Sequence, residues 1–380
     1  VFKPIGIIFL AALSLAGCST APTTLDEAYP STATTNKNSS LNWSTPSLAQ
    51  KPVVPAAKTN APAISRTNLP PAIIQKPAPV ITWTALNDWA AAHKTGAPHL
   101  LSKTPATTYA IGSANGVMVL SIGSLEATWN GIEINLGFNP QFIDGEIFLH
   151  GLDLQKNLEP LLCAPPLTFG TNRVIVIDPG HGGDNHGTYA RSALAGPFEK
   201  EFTLDWAKRL KPLLEAEGWK VFLTRTNDTY VTNSDRVVFA EAHHADVFIS
   251  LHFNSTELDA KTGKRDEKTS GLQTYCLTPI GMPSTLTRTF SDPWYENLPN
   301  NRFDTQNLQL AVHVHSAVLR ATGIEDHGVR RSRFDTVLRG QNRPAILVEG
   351  GYLSNPAEAK LIESADYRQK LAEGVAAALK

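Results

Sequence analysis

Two histidines and two glutamates stand where this chain could do chemistry. His181 closes Val174-Ile-Val-Ile-Asp178-Pro-Gly-His181-Gly-Gly, an apolar run too short and too β-branched for a helix that breaks at once into a glycine-rich turn. His252 finishes a second run, Ser250-Leu-His252-Phe-Asn254, and Glu349 a third, Ala345-Ile-Leu-Val-Glu349-Gly-Gly. Each reads as the carboxyl end of a buried strand, and in open α/β sheets functional groups gather there. A charge at the end of a buried strand is costly unless it has a partner or a task. Glu199 differs, because it opens the amphipathic helix 199–217 with Phe202, Trp206, Leu210 and Leu213 as its core stripe. The helix dipole favours a carboxylate there by about 0.3–1 kcal/mol, so Glu199 taken alone reads as a solvated helix end.

Taken together, His181, Glu199 and His252 are a sound donor set for zinc. Three protein ligands leave the fourth tetrahedral position for water, whose pKa falls to about 7 on the metal. A further carboxylate is then needed to take the water proton and return it to a leaving nitrogen, and Glu349 fits that role. The competing reading of the glycine turn is a phosphate cradle at a helix start, but no Lys or Ser/Thr follows the glycines in P-loop fashion. No HExxH helix is present, so the pattern leaves a zinc hydrolase and a structural zinc site both open. His243 with His244, and His313 with His315, are spaced so that they do not face one another on a helix, which assigns them to surface or packing.

The elements that must carry these residues alternate. After helix 199–217 come a strand at 220–226, a helix at 234–244, a strand at 246–253, a strand at 271–277, a helix at 307–322, a strand at 330–334 and a final helix at 366–380. The expected fold is α/β: residues 172–380 form one catalytic domain, a mostly parallel sheet flanked by helices. Upstream, the turn dipeptides Asn115-Gly116, Asn130-Gly131 and Asp144-Gly145 separate short apolar runs, and Leu86, Trp89, Ala90 and His93 fall at helical spacing. Residues 81–165 therefore read as a small α+β domain that ends at Ala164-Pro165-Pro166. Residues 19–80 are crowded with Pro, Ala, Thr, Ser and Asn and read as a disordered linker. Residues 1–18 carry Lys3, a short apolar run and Leu15-Ala16-Gly17-Cys18, the layout of an export signal too short to span a bilayer.

Asp178-Pro-Gly-His181-Gly-Gly-Asp184, Glu199-Lys200, Ser250-Leu-His252-Phe-Asn254 and Val348-Glu349-Gly-Gly-Tyr-Leu-Ser354-Asn355 occur in the order and spacing of the zinc-dependent N-acetylmuramoyl-L-alanine amidases. The resemblance spans essentially Arg173 to Lys380. It implies His181, Glu199 and His252 as zinc ligands, Glu349 as the catalytic carboxylate, and peptidoglycan as substrate, cut at the amide between the muramic lactyl group and L-alanine. The family's Arg-x-x-Asp element is present as Arg225 and Asp228, with Arg236 following; these are read as structural ion pairs. Some relatives carry, in place of Thr278–Gln306, a helix that blocks the metal until an activator partner removes it. Here Pro279, Pro283, Pro293 and Pro299 make a poor helix, so the segment is read as a groove-lining loop and a protein activator stays open as a partner. Residues 81–162 resemble the domain named for the N-terminal region of copper amine oxidases, without a cluster of metal-ligand type, and are read as a packing or wall-binding module.

Leu15-Ala16-Gly17-Cys18 resembles the bacterial lipobox. That implies acylation of Cys18 and a membrane anchor by lipid, with Ser19 compatible with outer-membrane sorting; acyl chains on one residue meet the two-signal requirement for stable anchoring. The expected location is the cell envelope, with the linker giving reach from the membrane. The 34 basic and 35 acidic side chains leave a net charge of -1, which removes the footprint a nucleic-acid binder needs. Two rival functions stand beside the amidase: a wall-binding envelope protein with a degenerate metal site, and a zinc peptidase cutting the stem peptide. The anchor is tested by Cys18→Ser, which should release the protein from the membrane fraction or leave an unprocessed precursor. Unchanged membrane retention on fractionation overturns it.

Overall fold

The computed structural model describes residues 82–169, 171–189, 197–286, 291–334 and 336–380. The signal segment, Cys18 and the Pro-rich linker lie outside the described residues. The first part comprises β1 (Trp83–Ala85), α1 (Leu86–His93), β2 (His99–Ser102), β3 (Thr108–Ser113), β4 (Gly116–Ser121), β5 (Glu126–Trp129), β6 (Ile132–Asn135), β7 (Gln141–Ile143) and β8 (Glu146–His150). A short helix α2 (Gly151–Asp153) runs into a π-helical stretch, Leu154–Cys163, that holds Pro160. The second part comprises β9 (Val174–Pro179), α3 (Glu199–Ala216), β10 (Lys220–Leu223), α4 (Asn233–Ala242), β11 (Val247–Asn254), β12 (Leu272–Leu277), α5 (Asp304–Thr322), β13 (Asp326–Ser332), α6 (Thr336–Arg339), β14 (Ala345–Tyr352), α7 (Pro356–Glu363) and α8 (Ala365–Ala378).

One sheet of eleven strands runs β10-β9-β11-β14-β12-β13-β6-β5-β4-β3-β2. β10, β9, β11 and β14 are parallel, β12 is antiparallel to β14, and β13 is parallel to β12. The strands between β9 and β14 are apolar on both faces because helices cover both. Trp206 of α3 is fully buried beside Phe253, their ring centroids 5.5 Å apart, over a core shared with α5 and α8. On the other face Val176, Phe248, Tyr275 and Leu347 pack with Ala240 of α4 and Val337 and Leu338 of α6.

The N-terminal strands form a meander. Asn130 and Asp144 take φ of 50° and their following glycines 84° and 89°, the positive angles that the Asn-Gly and Asp-Gly dipeptides supply in hairpin turns. β6 then pairs in parallel with β13 at Ile134 and Val329, so the meander continues the catalytic sheet. Polar side chains pin this seam: Asp326 accepts the Glu133 N–H at 2.9 Å, and Arg330 pairs with Glu133 at 2.8 Å. His315 bridges Thr274 and Asp326 at 3.0 and 2.9 Å and is fully buried, which is packing, as its spacing implies. Cys163 and Cys276 are unbonded, and Cys276 is buried.

The segment 278–306 departs from expectation. β12 runs antiparallel to β14 with Gln273 opposite Glu349 and Tyr275 opposite Leu347. Its C-terminal end at Leu277 therefore lies about 13 Å along the sheet from Glu349, at ~3.3 Å per residue, towards the start of β14. The described part of the segment is held there: Arg333 donates to the carbonyls of Pro279 and Met282 and pairs with Asp292, and Asn300 donates to the Arg343 carbonyl ahead of β14. It leaves the sheet at the end away from Glu349 and does not line a groove at that residue. The loop that enters β12 at the Glu349 end is 255–271. The prolines do not keep the segment free of helix, since Pro299–Phe303 is a 3-10 turn and α5 already starts at Asp304, and the direction of β12 decides which end of the sheet the segment occupies.

Among the described residues, no helix is long and apolar enough to cross a membrane. A buried carboxylate organises the meander's far side: Asp153 accepts the backbone N–H groups of Gly137 and Phe138 at 2.7 and 2.9 Å and the Asn157 amide at 2.8 Å. Asp153→Ala strands two buried donors and one half-buried donor and should lower the unfolding free energy by about 3 kcal/mol, read from urea denaturation. A loss under about 1 kcal/mol would mean that the three donors find other acceptors.

Candidate metal centre

His181 follows the last residue of β9 in a turn that only a special backbone can make. His181 itself has φ of 62°, and Gly182 and Gly183 follow at 125° and 59°. A Cβ on Gly180 would lie 2.3 Å from the His252 ring, so the turn can approach β11 only as glycine. Two buried arginines hold the turn by its carbonyls. Arg225 donates to those of Pro179, Gly180 and Lys200 at 2.9, 2.7 and 2.7 Å. Arg236 donates to Pro179 and His181 at 3.0 and 2.8 Å and pairs with Asp178. Asp178 also accepts the hydroxyls of Thr224 and Ser250 at 2.5 and 2.7 Å. Burial pushes its carboxyl up, but Arg236 and these hydrogen bonds outweigh burial and hold it below the ordinary range. Of the residues expected to form structural ion pairs, Arg236 pairs with Asp178 and Asp228 with Lys200 at 2.7 Å, Asp228 also accepting the Gly183 N–H, whereas Arg225 among the described residues donates to carbonyls and the Thr203 hydroxyl.

His181, Glu199 and His252 come together, with one ligand-capable atom from each inside 4.8 Å of the others. His181 Nε2 lies 3.0 Å from Glu199 Oε2 and His252 Nδ1 lies 3.0 Å from Glu199 Oε1. Glu199 is buried and its oxygens are also fixed by backbone: Oε1 accepts the Phe253 N–H at 3.0 Å and Oε2 the Thr188 N–H at 2.9 Å. Burial pushes the Glu199 carboxyl up, yet the two imidazoles beside it hold it well below the usual carboxylate range. For His181 burial pushes down, and the Glu199 charge outweighs it and raises the imidazole above its ordinary value.

The tautomer of His181 is set by a residue that the sequence reading passed over. Asn185 Oδ1 lies 2.8 Å from His181 Nδ1 and also accepts the Gly187 N–H at 3.3 Å. A backbone N–H can only donate, so Asn185 presents oxygen and His181 carries its proton on Nδ1. Nε2 and the Glu199 oxygen are then two acceptors facing each other, a pair that a cation must join. A proton meets that need, and so does a metal ion. The only sequence signal for Asn185 was its place in a glycine turn, where Asn habitually accepts the N–H two residues on.

Glu349 lies on β14 directly beside His252 of the parallel neighbour β11 and is buried. All four candidate residues thus converge, two on strands, one in the turn after β9 and one at the start of α3. Cys18 alone lies outside the described residues.

An open α/β sheet with a His–Glu–His cluster and a second carboxylate at its strand ends defines the class. Residues 175–380 match the family model described as N-acetylmuramoyl-L-alanine amidase, and the chain belongs to that family. It is 34% identical over 227 residues to N-acetylmuramoyl-L-alanine amidase AmiC of Neisseria meningitidis, covering 54% of this chain and 52% of that protein. It is 29% identical over 230 residues to AmiA of Escherichia coli, covering 54% and 75%. The catalytic domain of CwlV, an amidase of Bacillus (Paenibacillus) polymyxa, is 28% identical, with 55% of this chain and 96% of that domain covered at a TM-score of 0.43. The chain thus spans about half the length of one curated relative and three-quarters of the other.

Asn185→Ala frees the His181 ring to rotate and to change tautomer. It should weaken metal affinity about 10- to 100-fold in a chelator competition, the usual cost of losing a partner behind a ligating histidine. Unchanged affinity would show that the glycine turn alone orients the ring.

Proposed function

We propose that this protein hydrolyses the amide between the lactyl group of N-acetylmuramic acid and L-alanine in peptidoglycan, as a zinc enzyme tethered in the bacterial cell envelope. The observation that carries the reading is the His181–Glu199–His252 cluster with Glu349 beside it. A structural zinc site would not need a buried carboxylate next to its ligands. The donor set fits zinc, since two imidazoles and a carboxylate leave one tetrahedral position open, and the facing acceptors at His181 Nε2 and Glu199 Oε2 ask for a cation. When bound, zinc supplies Lewis acidity towards water and the amide carbonyl.

The protein's own groups do the rest. Asn185 holds His181 in the tautomer that offers Nε2, and the N–H groups of Phe253 and Thr188 hold Glu199 so that both oxygens stay turned to the histidines. Glu349 takes the proton of the attacking water on its carboxylate and returns it to the alanine nitrogen as the C–N bond breaks. Buried beside His252, it is positioned for that transfer. Exported location and the lipid anchor at Cys18 belong to the same proposal, resting on the lipobox resemblance. Residues 81–165, read as a packing or wall-binding module, belong to the same proposal.

Digestion of purified peptidoglycan should yield free lactyl carboxylates and new L-alanine amino termini. Release of internal stem-peptide termini would point to a peptidase, and binding without cleavage to a wall-binding protein. His181→Ala or His252→Ala should lose zinc and activity together. Glu349→Ala should keep most of the zinc while kcat falls by ~10²–10⁴. Near-normal hydrolysis by zinc-loaded Glu349→Ala overturns the mechanism.

A further inference from the structure

We propose that the side-chain amide of Gln273 is a substrate-binding group: its Nε2 donates a hydrogen bond to the carbonyl oxygen of the alanyl residue on the peptide side of the scissile amide. This rests on the amidase reading and adds the group that recognises the peptide arm.

Gln273 stands on β12 directly opposite Glu349 of β14, and Glu349 stands beside His252 of β11. Three neighbouring strands therefore carry His252, Glu349 and Gln273 across one face at one level. Adjacent strands lie about 4.8 Å apart, which puts Gln273 one strand beyond Glu349 on the side away from the histidines. Successive residues of a peptide are spaced by about 3.8 Å. With the scissile amide at His252 and Glu349, the first peptide carbonyl past it falls within reach of Gln273.

The orientation of this amide follows from hydrogen bonds that admit one assignment. The Ser255 N–H can only donate, and it lies 2.8 Å from Asn254 Oδ1. Asn254 therefore turns its NH2 the other way, where it donates to Gln273 Oε1 at 2.7 Å. The same oxygen accepts the hydroxyls of Tyr352 and Tyr275 at 2.8 and 3.0 Å. Gln273 Oε1 is thus held by three donors from three strands, which fixes Nε2 as the opposite end. Gln273 is only 6% exposed, yet among the described residues its Nε2 has no acceptor. Nε2 is not among the fully buried unpartnered atoms of the described residues, so it keeps access to solvent, and a rigidly held donor at that place can exchange its water for a substrate acceptor. A purely structural role would use the oxygen alone. The partner must be an acceptor, and peptide carbonyls are the acceptors that the arm beyond the scissile amide offers.

Gln273→Glu tests this with little disturbance. The inner oxygen and its three donors remain, and only the outward NH2 becomes an oxygen. Zinc-loaded protein is assayed on N-acetylmuramoyl-L-alanine N-methylamide and on N-acetylmuramoyl ethylamide, which has the same scissile bond but lacks the alanyl carbonyl. The variant should lose about 10- to 100-fold in kcat/KM on the first substrate and less than about 3-fold on the second. Zinc content and melting temperature should match wild type. Binding of the N-methylamide to Glu349→Ala protein, followed by calorimetry, should weaken by a similar factor when Gln273→Glu is added. Equal losses on both substrates mean that Gln273 acts through Glu349 or the fold, and no loss on either means that it touches nothing; both overturn the proposal. Failure of the wild type to release alanine N-methylamide overturns the amidase reading, and this proposal with it.

Discussion

Asp178 is a carboxylate buried near the end of β9, and it cannot be ionised there alone. Its answer is the Arg236 guanidinium, joined by the hydroxyls of Thr224 and Ser250. Breaking a buried pair of this kind by removing one partner costs about 3–5 kcal/mol, because the other charge is stranded. The pair also does something that a hydrophobic replacement could not. Once Arg236 is anchored on Asp178, its remaining donors reach the carbonyls of Pro179 and His181, and Arg225 takes those of Pro179, Gly180 and Lys200. The carbonyls of Gly180 and His181 belong to an irregular turn, which has no ladder to satisfy them, while Pro179 ends β9 and Lys200 lies in the first turn of α3. The left-handed backbone of His181 is stabilised by the same contacts, so the position of this imidazole in the His–Glu–His cluster depends on the Asp178 carboxylate.

Glu199 meets the opposite need. It comes from the helix that covers the other face of the sheet, and its two oxygens are shared among two imidazoles and two backbone N–H groups. The close approach of the glycine turn is what allows this: a Cβ at Gly187 would lie 2.6 Å from Glu199 Oε2 and 2.7 Å from His181. The glycines at 180 and 187 are space for functional side chains. The cost of desolvating the carboxylate is offset in part by the Phe253 and Thr188 N–H groups, and positive charge between it and the rings would offset the rest.

The residues that stand at strand ends were legible in the sequence because burial writes apolar runs, and a charge or imidazole that closes such a run is conspicuous. His181, His252 and Glu349 were found in that way. Glu199 was not, since a glutamate at a helix start is commonplace, and it gained a role only as the carboxylate that completes a donor set with the two histidines. Asn185, Asn254 and Gln273 left no periodic trace: their work lies in hydrogen bonds across elements that sequence spacing cannot relate. The direction of β12 was equally hidden. An apolar strand reads the same whether it runs parallel or antiparallel to its neighbour, and that choice moved the segment 278–306 to the far end of the sheet from Glu349.

The continuation of the sheet from β13 into β6 has a physical reason of its own. Without the meander, β13 would be an edge strand, with a row of backbone donors and acceptors open to pairing with another chain. Pairing with β6 at Val329 covers that edge, and Asp326 and Arg330 add charged contacts to Glu133 that fix the register. The same Asp326 accepts from His315, which also holds Thr274 on β12, the strand that carries Gln273. A hydrogen-bonded path therefore runs from the meander through β13 and α5 to the strand beside Glu349. Because one sheet is shared, the meander cannot turn independently of the catalytic strands, and whatever surface it presents is held at a fixed orientation to the strand ends where His181, His252 and Glu349 meet.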